Sequence, residues 1–197
     1  MHAVELILAS SSPRRKTLLK QIGLRFRVQP SHVEEPSYEG GSPKEYARSL
    51  AALKAAEVSA INPYALVLGA DTIVVVDDIV LGKPGNTIEA DRMLKLLSGR
   101  SHEVITAYSL QLRDQQIHQT YLVSTLVYFK TLDPDDISHY IDSGNPFDKA
   151  GSYGIQDFSS VFVDRIEGCF YNVVGLPISD LNSNLKQLLL TNDLELE

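Results

Sequence analysis

Cysteine is nearly missing. Cys169 is the only one in 197 residues, which excludes an internal disulfide and a cysteine-rich zinc site and agrees with a reducing, cytoplasmic setting. Long apolar runs are missing too: stretches such as Thr72 to Val76 and Leu122 to Val127 fall well short of the roughly 20 residues a membrane span requires. No transmembrane helix and no membrane partner are therefore expected. The opening residues, Met-His-Ala-Val-Glu-Leu-Ile-Leu-Ala, carry neither the basic region nor the long apolar stretch of a signal peptide and read as a buried first strand. Positive charge is scarce, with 18 Lys and Arg against 25 Asp and Glu, and the net charge of −7 argues against a nucleic-acid partner, which calls for a basic field. None of the five histidines pairs at metal-ligand spacing. Neither Gly-x-x-x-x-Gly-Lys-[Ser/Thr] nor Gly-x-Gly-x-x-Gly occurs, so there is no P-loop and no dinucleotide fingerprint.

What is present suits one globular domain over residues 1–197, with room for two lobes, since 44% of the residues are hydrophobic and 22% charged. Strand and helix patterns alternate, which predicts an α/β fold. A strand over Glu5 to Ala9 is followed by Ser12 as N-cap, Pro13 at the first helical position and a helix ending at Gly23. After a strand near Phe26 to Val28 and a loop over 34–41, Ser42-Pro-Lys-Glu45 forms a capping box. It opens a helix whose apolar face is expected to run through Tyr46, Leu50, Leu53 and Ala56, with Lys54 at the edge of that face. Two strands are expected over Ala65 to Ala70 and Thr72 to Val76, then a turn at Asp77-Asp78. Thr87 is expected to cap a helix with Ile88, Ala90, Met93, Leu94 and Leu97 on one face. His102 to Leu112 and Ile117 to Phe129 suggest a long hairpin, and Asp133-Pro134 starts another helix closed by Gly144. The Gly-rich polar segment 148–157 reads as a functional loop. Strands at Val161 to Val163 and Tyr171 to Val174, a helix opened by Pro177 and a fraying C-terminus complete the expectation.

Charge is unevenly spread. Residues 1–30 hold six cations against Glu5 alone, so the rest of the chain carries −12. Ser10-Ser-Ser-Pro-Arg14-Arg15 joins a strand to a helix N-terminus, where backbone N–H groups and the helix dipole favour an anion and arginine forks suit phosphate. An ordinary capped turn with exposed arginines would read the same way. Lys54 and Lys83, the latter in the constrained Leu-Gly-Lys-Pro turn, offer point charges for such a ligand or simply solvated surface. Asp71 interrupts an apolar strand pair, and a buried carboxylate is costly unless a cation or hydrogen bonds compensate it. A metal ion would do so, as would a strand-end hydrogen-bond set. Glu34-Glu35 offers a second loop carboxylate, and oxygen ligands alone suit Mg²⁺ or Mn²⁺.

Leu8-Ala-Ser-Ser-Ser-Pro-Arg-Arg15, Gly69-Ala-Asp-Thr72, Leu81-Gly-Lys-Pro84, Leu97-Ser-Gly99, Asp148-Lys-Ala-Gly-Ser-Tyr-Gly-Ile-Gln156 and Val174-Gly-Leu-Pro177, in that order, resemble the Maf family of nucleotide pyrophosphatases. The resemblance implies a mixed sheet with flanking helices of the inosine-triphosphatase-like type, two lobes around a cleft, and commonly a homodimer. It implies hydrolysis of a nucleoside triphosphate with a divalent metal. Asp71 matches the catalytic aspartate; Glu35, Lys54 and Lys83 match positions for metal or triphosphate, and Ser10, Arg14 and Arg15 lie in the phosphate-binding motif. Arg14, Thr72 and Gln156 match the positions tied to base choice, and Thr72 with Gln156 is similar to the dTTP/UTP branch, whereas a 7-methyl-GTP branch tends to carry Gln after the aspartate. Asp157 stands where a small residue is frequent, and Ser11 where Gly is often seen. A non-catalytic nucleotide-binding regulator of septum formation, or a pyrophosphatase for modified pyrimidine nucleotides, are the competing readings.

Overall fold

Three parallel strands set the frame. In a computed structural model that describes residues 2–197, β2 (Leu6–Leu8) lies between β3 (Arg27–Val28) and β4 (Leu66–Val76), parallel to both. Register pairs Leu8 with Val28 on one side and with Leu68 on the other. Parallel neighbours need crossovers, and helices α1 (Pro13–Gln21) and α2 (Pro43–Ile61) supply them. Ser12 and Ser42 cap these helices, their hydroxyls accepting from the N–H of Arg15 and Glu45 at 3.4 Å each. The sheet continues through β6 (Ser101–Leu112), β7 (Ile117–Phe129) and β8 (Val163–Glu167) in the order β3-β2-β4-β6-β7-β8. β5 (Ile79–Leu81) and β8 add antiparallel pairs, so the sheet is mixed and the fold is α/β as expected.

The chain forms two compact units. One comprises the described residues to Asp71, together with Thr106–Val123 and Gly175–Glu197; the other comprises Thr72–Ile105 and Ser124–Val174. The first holds α1, α2 and α6 (Ile178–Thr191), with Ile7, Ala9, Ala55, Val58, Ala65 and Val67 in a buried cluster. The second holds α3 (Thr87–Leu97), α4 (Pro134–Asp142) and α5 (Phe170–Val174) around Val74, Leu94, Leu97, Val127, Phe129 and Phe162. No helix among the described residues is long and apolar enough to cross a membrane.

Several local expectations are corrected. Residues 66–76 form one continuous strand, because Asp71 finds partners and need not break it. The buried face of α2 is Ala47, Leu50, Ala51, Ala55 and Val58, with Leu53 and Ala56 turned to solvent. Lys54, four residues from Leu50 and three from Ala51, therefore lies along that face. Asn86, not Thr87, caps α3, and Ile88 is exposed. Phe158–Phe162 is a 3-10 turn rather than part of a strand, and Phe170–Val174 is helical. Its Asn172 is buried and donates to the Val104 carbonyl at 2.8 Å, a tertiary bond that overrides the β-prone composition. Nor does the C-terminus fray: β9 (Leu194–Leu196) pairs in parallel with β1 (His2–Val4).

Candidate active site

The carboxyl ends of β3, β2 and β4 point the same way, and each delivers functional side chains. In open parallel arrangements the loops leaving these ends are where ligands bind. After β2 comes Ser10, then the α1 N-terminus, whose first turn carries no acidic side chain to offset the positive end of its dipole. After β3 come residues 31–35. Further along β4 stands Asp71.

Alternation along β4 puts Gly69 and Asp71 on one face. That face meets α2: a Cβ on Gly69 would lie 2.5 Å from the Ala51 carbonyl oxygen and 2.6 Å from the Ala55 amide nitrogen. Only glycine permits so close an approach, and Lys54, between those alanines, is carried down onto Asp71. Its ammonium donates to Asp71 Oδ1 at 2.6 Å and bridges to Glu35 Oε1 at 2.8 Å. Asp71 is only 8% exposed. Burial pushes its carboxyl above the usual range, while the charges of Lys54 and Arg15 pull against that rise.

Arg15 is turned inward. Nε donates to the Gly175 carbonyl at 2.9 Å and NH1 to Ser10 Oγ at 3.2 Å. Burial lowers its pKa, and the Asp71 charge opposes the drop. Ser10 Oγ also accepts from the Ser12 N–H at 3.2 Å, so the turn, the arginine and Gly175 are laced together. Arg14 is partly exposed on the first turn of α1.

Two residues of α2 carry roles that the sequence pattern did not single out. Glu57 accepts from the amides of His32 and Val33 at 2.8 and 3.1 Å and from the Ser31 hydroxyl, bonds that hold its own pKa down and fix the segment leading to Glu35. Tyr46, expected on the core face, donates to the Pro36 carbonyl at 2.9 Å. Its phenol is pushed up by burial and then by the charges of Asp71 and Glu35, marking it as a neighbour of both acids. Positions 46, 50, 54 and 57 follow the spacing of one helix face, the signal that would have grouped them.

Ser10, Arg15, Glu35, Lys54 and Asp71 thus come together within the first unit. Thr72, Lys83 and Gln156 belong to the second. Thr72 is partly buried and points to the face of β4 opposite Asp71. Lys83 is exposed beside buried Pro84, in a turn held where Gly82 O accepts from the Gly151 N–H at 3.0 Å. Gln156 is exposed in the 148–157 loop.

No group of three or more His, Cys, Asp or Glu side chains poised for a metal ion occurs among the described residues. Glu35 and Asp71 share the Lys54 ammonium, and two carboxylates of this kind could hold a divalent cation that completes its shell with water and phosphate oxygens.

The family model described as "Maf-like protein" matches residues 5–188. A relative from Syntrophus aciditrophicus (strain SB) is 46% identical over 184 residues, spanning 93% of this chain and 90% of its own. One from Desulforamulus reducens is 49% identical over 183 residues, 92% of this chain and 95% of its own. A third, from Bacillus pumilus, is 46% identical over 175 residues, covering 89% of this chain and 92% of its own. All three are called dTTP/UTP pyrophosphatase. Among solved structures, a HAM1 protein from Coxiella burnetii aligns with a TM-score of 0.44 at 16% identity, over 64% of this chain and 73% of that one.

Proposed function

The chain belongs to the Maf family, and on that premise we propose that it hydrolyses dTTP and UTP to the monophosphate and pyrophosphate. The observation that carries this reading is the Glu35–Lys54–Asp71 ion cluster at the carboxyl ends of the parallel strands. A triphosphate brings about four negative charges, so catalysis of its cleavage rests on positioning and charge stabilisation. The cations of the Ser10–Arg15 turn and Lys54 answer that demand.

Water attacks the α-phosphorus, its proton passes to an oxygen of Asp71, and the bond from the α-phosphorus to the bridging oxygen breaks to release pyrophosphate. A carboxyl whose pKa is raised by burial is a better proton acceptor than an exposed one, and the charges of Lys54 and Arg15 favour its ionised form. Glu35 and Asp71 would hold a divalent cation, Mg²⁺ or Mn²⁺, which when bound supplies charge neutralisation and acidifies a ligated water. Lys54, whose ammonium sits between the two acids, supplies positive charge beside the phosphate chain. Arg14 and Lys83 neutralise the departing pyrophosphate. Base preference is assigned to Arg14, Thr72 and Gln156; an amide that both donates and accepts suits the carbonyl, N–H, carbonyl edge of uracil and thymine.

The test is pyrophosphate release from a panel of triphosphates with Mg²⁺ or Mn²⁺, extended to 5-methyl-UTP and pseudo-UTP. Turnover led by UTP and dTTP is expected. A lead by the modified bases would narrow the substrate to them, and binding without release across the panel would leave a nucleotide-binding regulator.

A further inference from the structure

The loop that carries Gln156 is anchored at one end only by the core. Gly151 and Ser152 both adopt left-handed backbone, φ +67° and +64°, although Ser152 is a fully buried non-glycine residue. A Cβ on Gly151 would press on the Val74 side chain at 3.0 Å, Ser152 Oγ reaches Met93 Sδ at 3.1 Å, and the Tyr153 hydroxyl meets His102 Nε2 at 2.7 Å. Past Tyr153 these anchors stop. Residues 154–156 run from partly buried to exposed, and Gln156 at their end is the side chain assigned to the base.

A second set of contacts closes this free half. Lys149, before the anchored stretch, is only 11% exposed at its side chain; its ammonium donates to the Asn145 carbonyl at 2.6 Å and pairs with Asp148 at 2.6 Å and with Asp157 Oδ2 at 3.2 Å. Its stem crosses Gly154 so tightly that a Cβ there would lie 2.6 Å from Cε. Asp157 divides its two oxygens. Oδ2 takes Lys149, with the Tyr140 hydroxyl at 3.4 Å, and Oδ1 accepts from the N–H and hydroxyl of Ser159 at 3.1 and 2.6 Å. The Ser159 hydroxyl in turn accepts from the Gly154 N–H at 2.9 Å, and its one proton is shared between Asp157 Oδ1 and the Gly154 carbonyl, which lies 2.9 Å away.

We infer that Lys149 and Asp157 form a clasp that fixes the 154–156 backbone and so aims Gln156, making the pair positioning residues for base choice. This rests on the assignment of Gln156 as the base reader. Asp157 directly follows Gln156, so its two anchored oxygens leave the glutamine little freedom at its own Cα. Both clasp residues spend their polar groups on the protein, so they act on the nucleotide through Gln156. Loosening the pair widens the directions Gln156 samples, and the loss falls on the preferred pyrimidine rather than on all bases alike.

The experiment measures kcat and KM for UTP and CTP in Asp157→Asn, Lys149→Met, their double variant and Gln156→Ala, with thermal unfolding alongside. Asp157→Asn keeps an acceptor for the Ser159 N–H while weakening the ion pair. The UTP-to-CTP ratio of kcat/KM is expected to fall about fivefold in each clasp single variant, mainly through KM for UTP, with the double variant no worse than either. Gly154→Ala, whose Cβ crowds both halves of the clasp, the Lys149 stem at 2.6 Å and Asp157 Oδ2 at 3.0 Å, should give the same fall and serves if Asp157→Asn does not fold. A shifted ranking in Gln156→Ala with an unchanged ratio in the clasp variants overturns the clasp and leaves the base reader standing. An unchanged ranking in Gln156→Ala removes both. An equal fall on both nucleotides, with lowered stability, makes the clasp a structural brace and likewise overturns the proposal.

Discussion

Asp71 combines burial with two flanking cations, and its roles separate on substitution. Asn keeps the shape and still accepts from Lys54, so Asp71→Asn is expected to fold and bind nucleotide while turnover drops by about 10² or more. Single-turnover hydrolysis beside equilibrium nucleotide binding checks this; near-normal turnover would remove Asp71 as proton acceptor. His102 makes a different kind of prediction. It is 2% exposed, packs edge-on against Phe129 and Tyr153, and its Nδ1 has no hydrogen-bond partner. Burial lowers its pKa from 6.5 to about 4. The unfolded chain therefore takes up a proton below about pH 6.5 that the folded chain refuses until about pH 4, so this contribution to stability is complete above 6.5 and is lost as pH falls toward 4. Between pH 7 and pH 5 it amounts to about 2 kcal/mol. Urea unfolding at the two pH values should show that component in the wild type and its absence in His102→Gln; equal pH slopes would mean the imidazole is not buried as a neutral group.

The α2–β4 contact explains which parts of the site were legible. The acid in an apolar strand stood out, as did the cationic turn after β2, because each breaks a local pattern. The position of Lys54 did not. Large apolar side chains suggested a face through Tyr46 and Leu53, whereas the helix packs through Ala47, Ala51 and Ala55, small residues that let the strand come close at Gly69. A close approach written in alanine and glycine leaves little hydrophobic signal. The same interface predicts that Gly69→Ala, which forces Cβ against backbone atoms at 2.5 and 2.6 Å, destabilises the protein by about 1–3 kcal/mol. It should also lower kcat, since α2 carries Lys54 away with it. Chemical unfolding with steady-state kinetics tests both, and full activity in a destabilised Gly69→Ala would show that the Lys54–Asp71 distance tolerates movement of the helix.

At the scale of the whole molecule, the order of linked motifs indicated the family and the mixed α/β class, while the pairing of the two ends was invisible. Two three-residue segments, His2–Val4 and Leu194–Leu196, are too short to announce themselves, and each becomes a strand only because the other is beside it. The His2 N–H donates to the Asp193 carbonyl at 2.8 Å and the Glu197 N–H to the Val4 carbonyl at 3.3 Å, bracketing the ladder. Val4 and Leu194 are 6% and 2% exposed. Ending the chain after Asn192 removes β9 together with Leu194, leaves β1 unpaired and uncovers Val4. Loss of one buried leucine alone is worth about 1.5–3 kcal/mol, which for a chain of this length lowers Tm by several degrees. No proposed site residue lies on either strand, so kcat and the ranking of nucleotides should stay at their full-length values. A truncated chain with unchanged Tm would make the β1–β9 pairing energetically idle, and a changed ranking would tie the termini to the site.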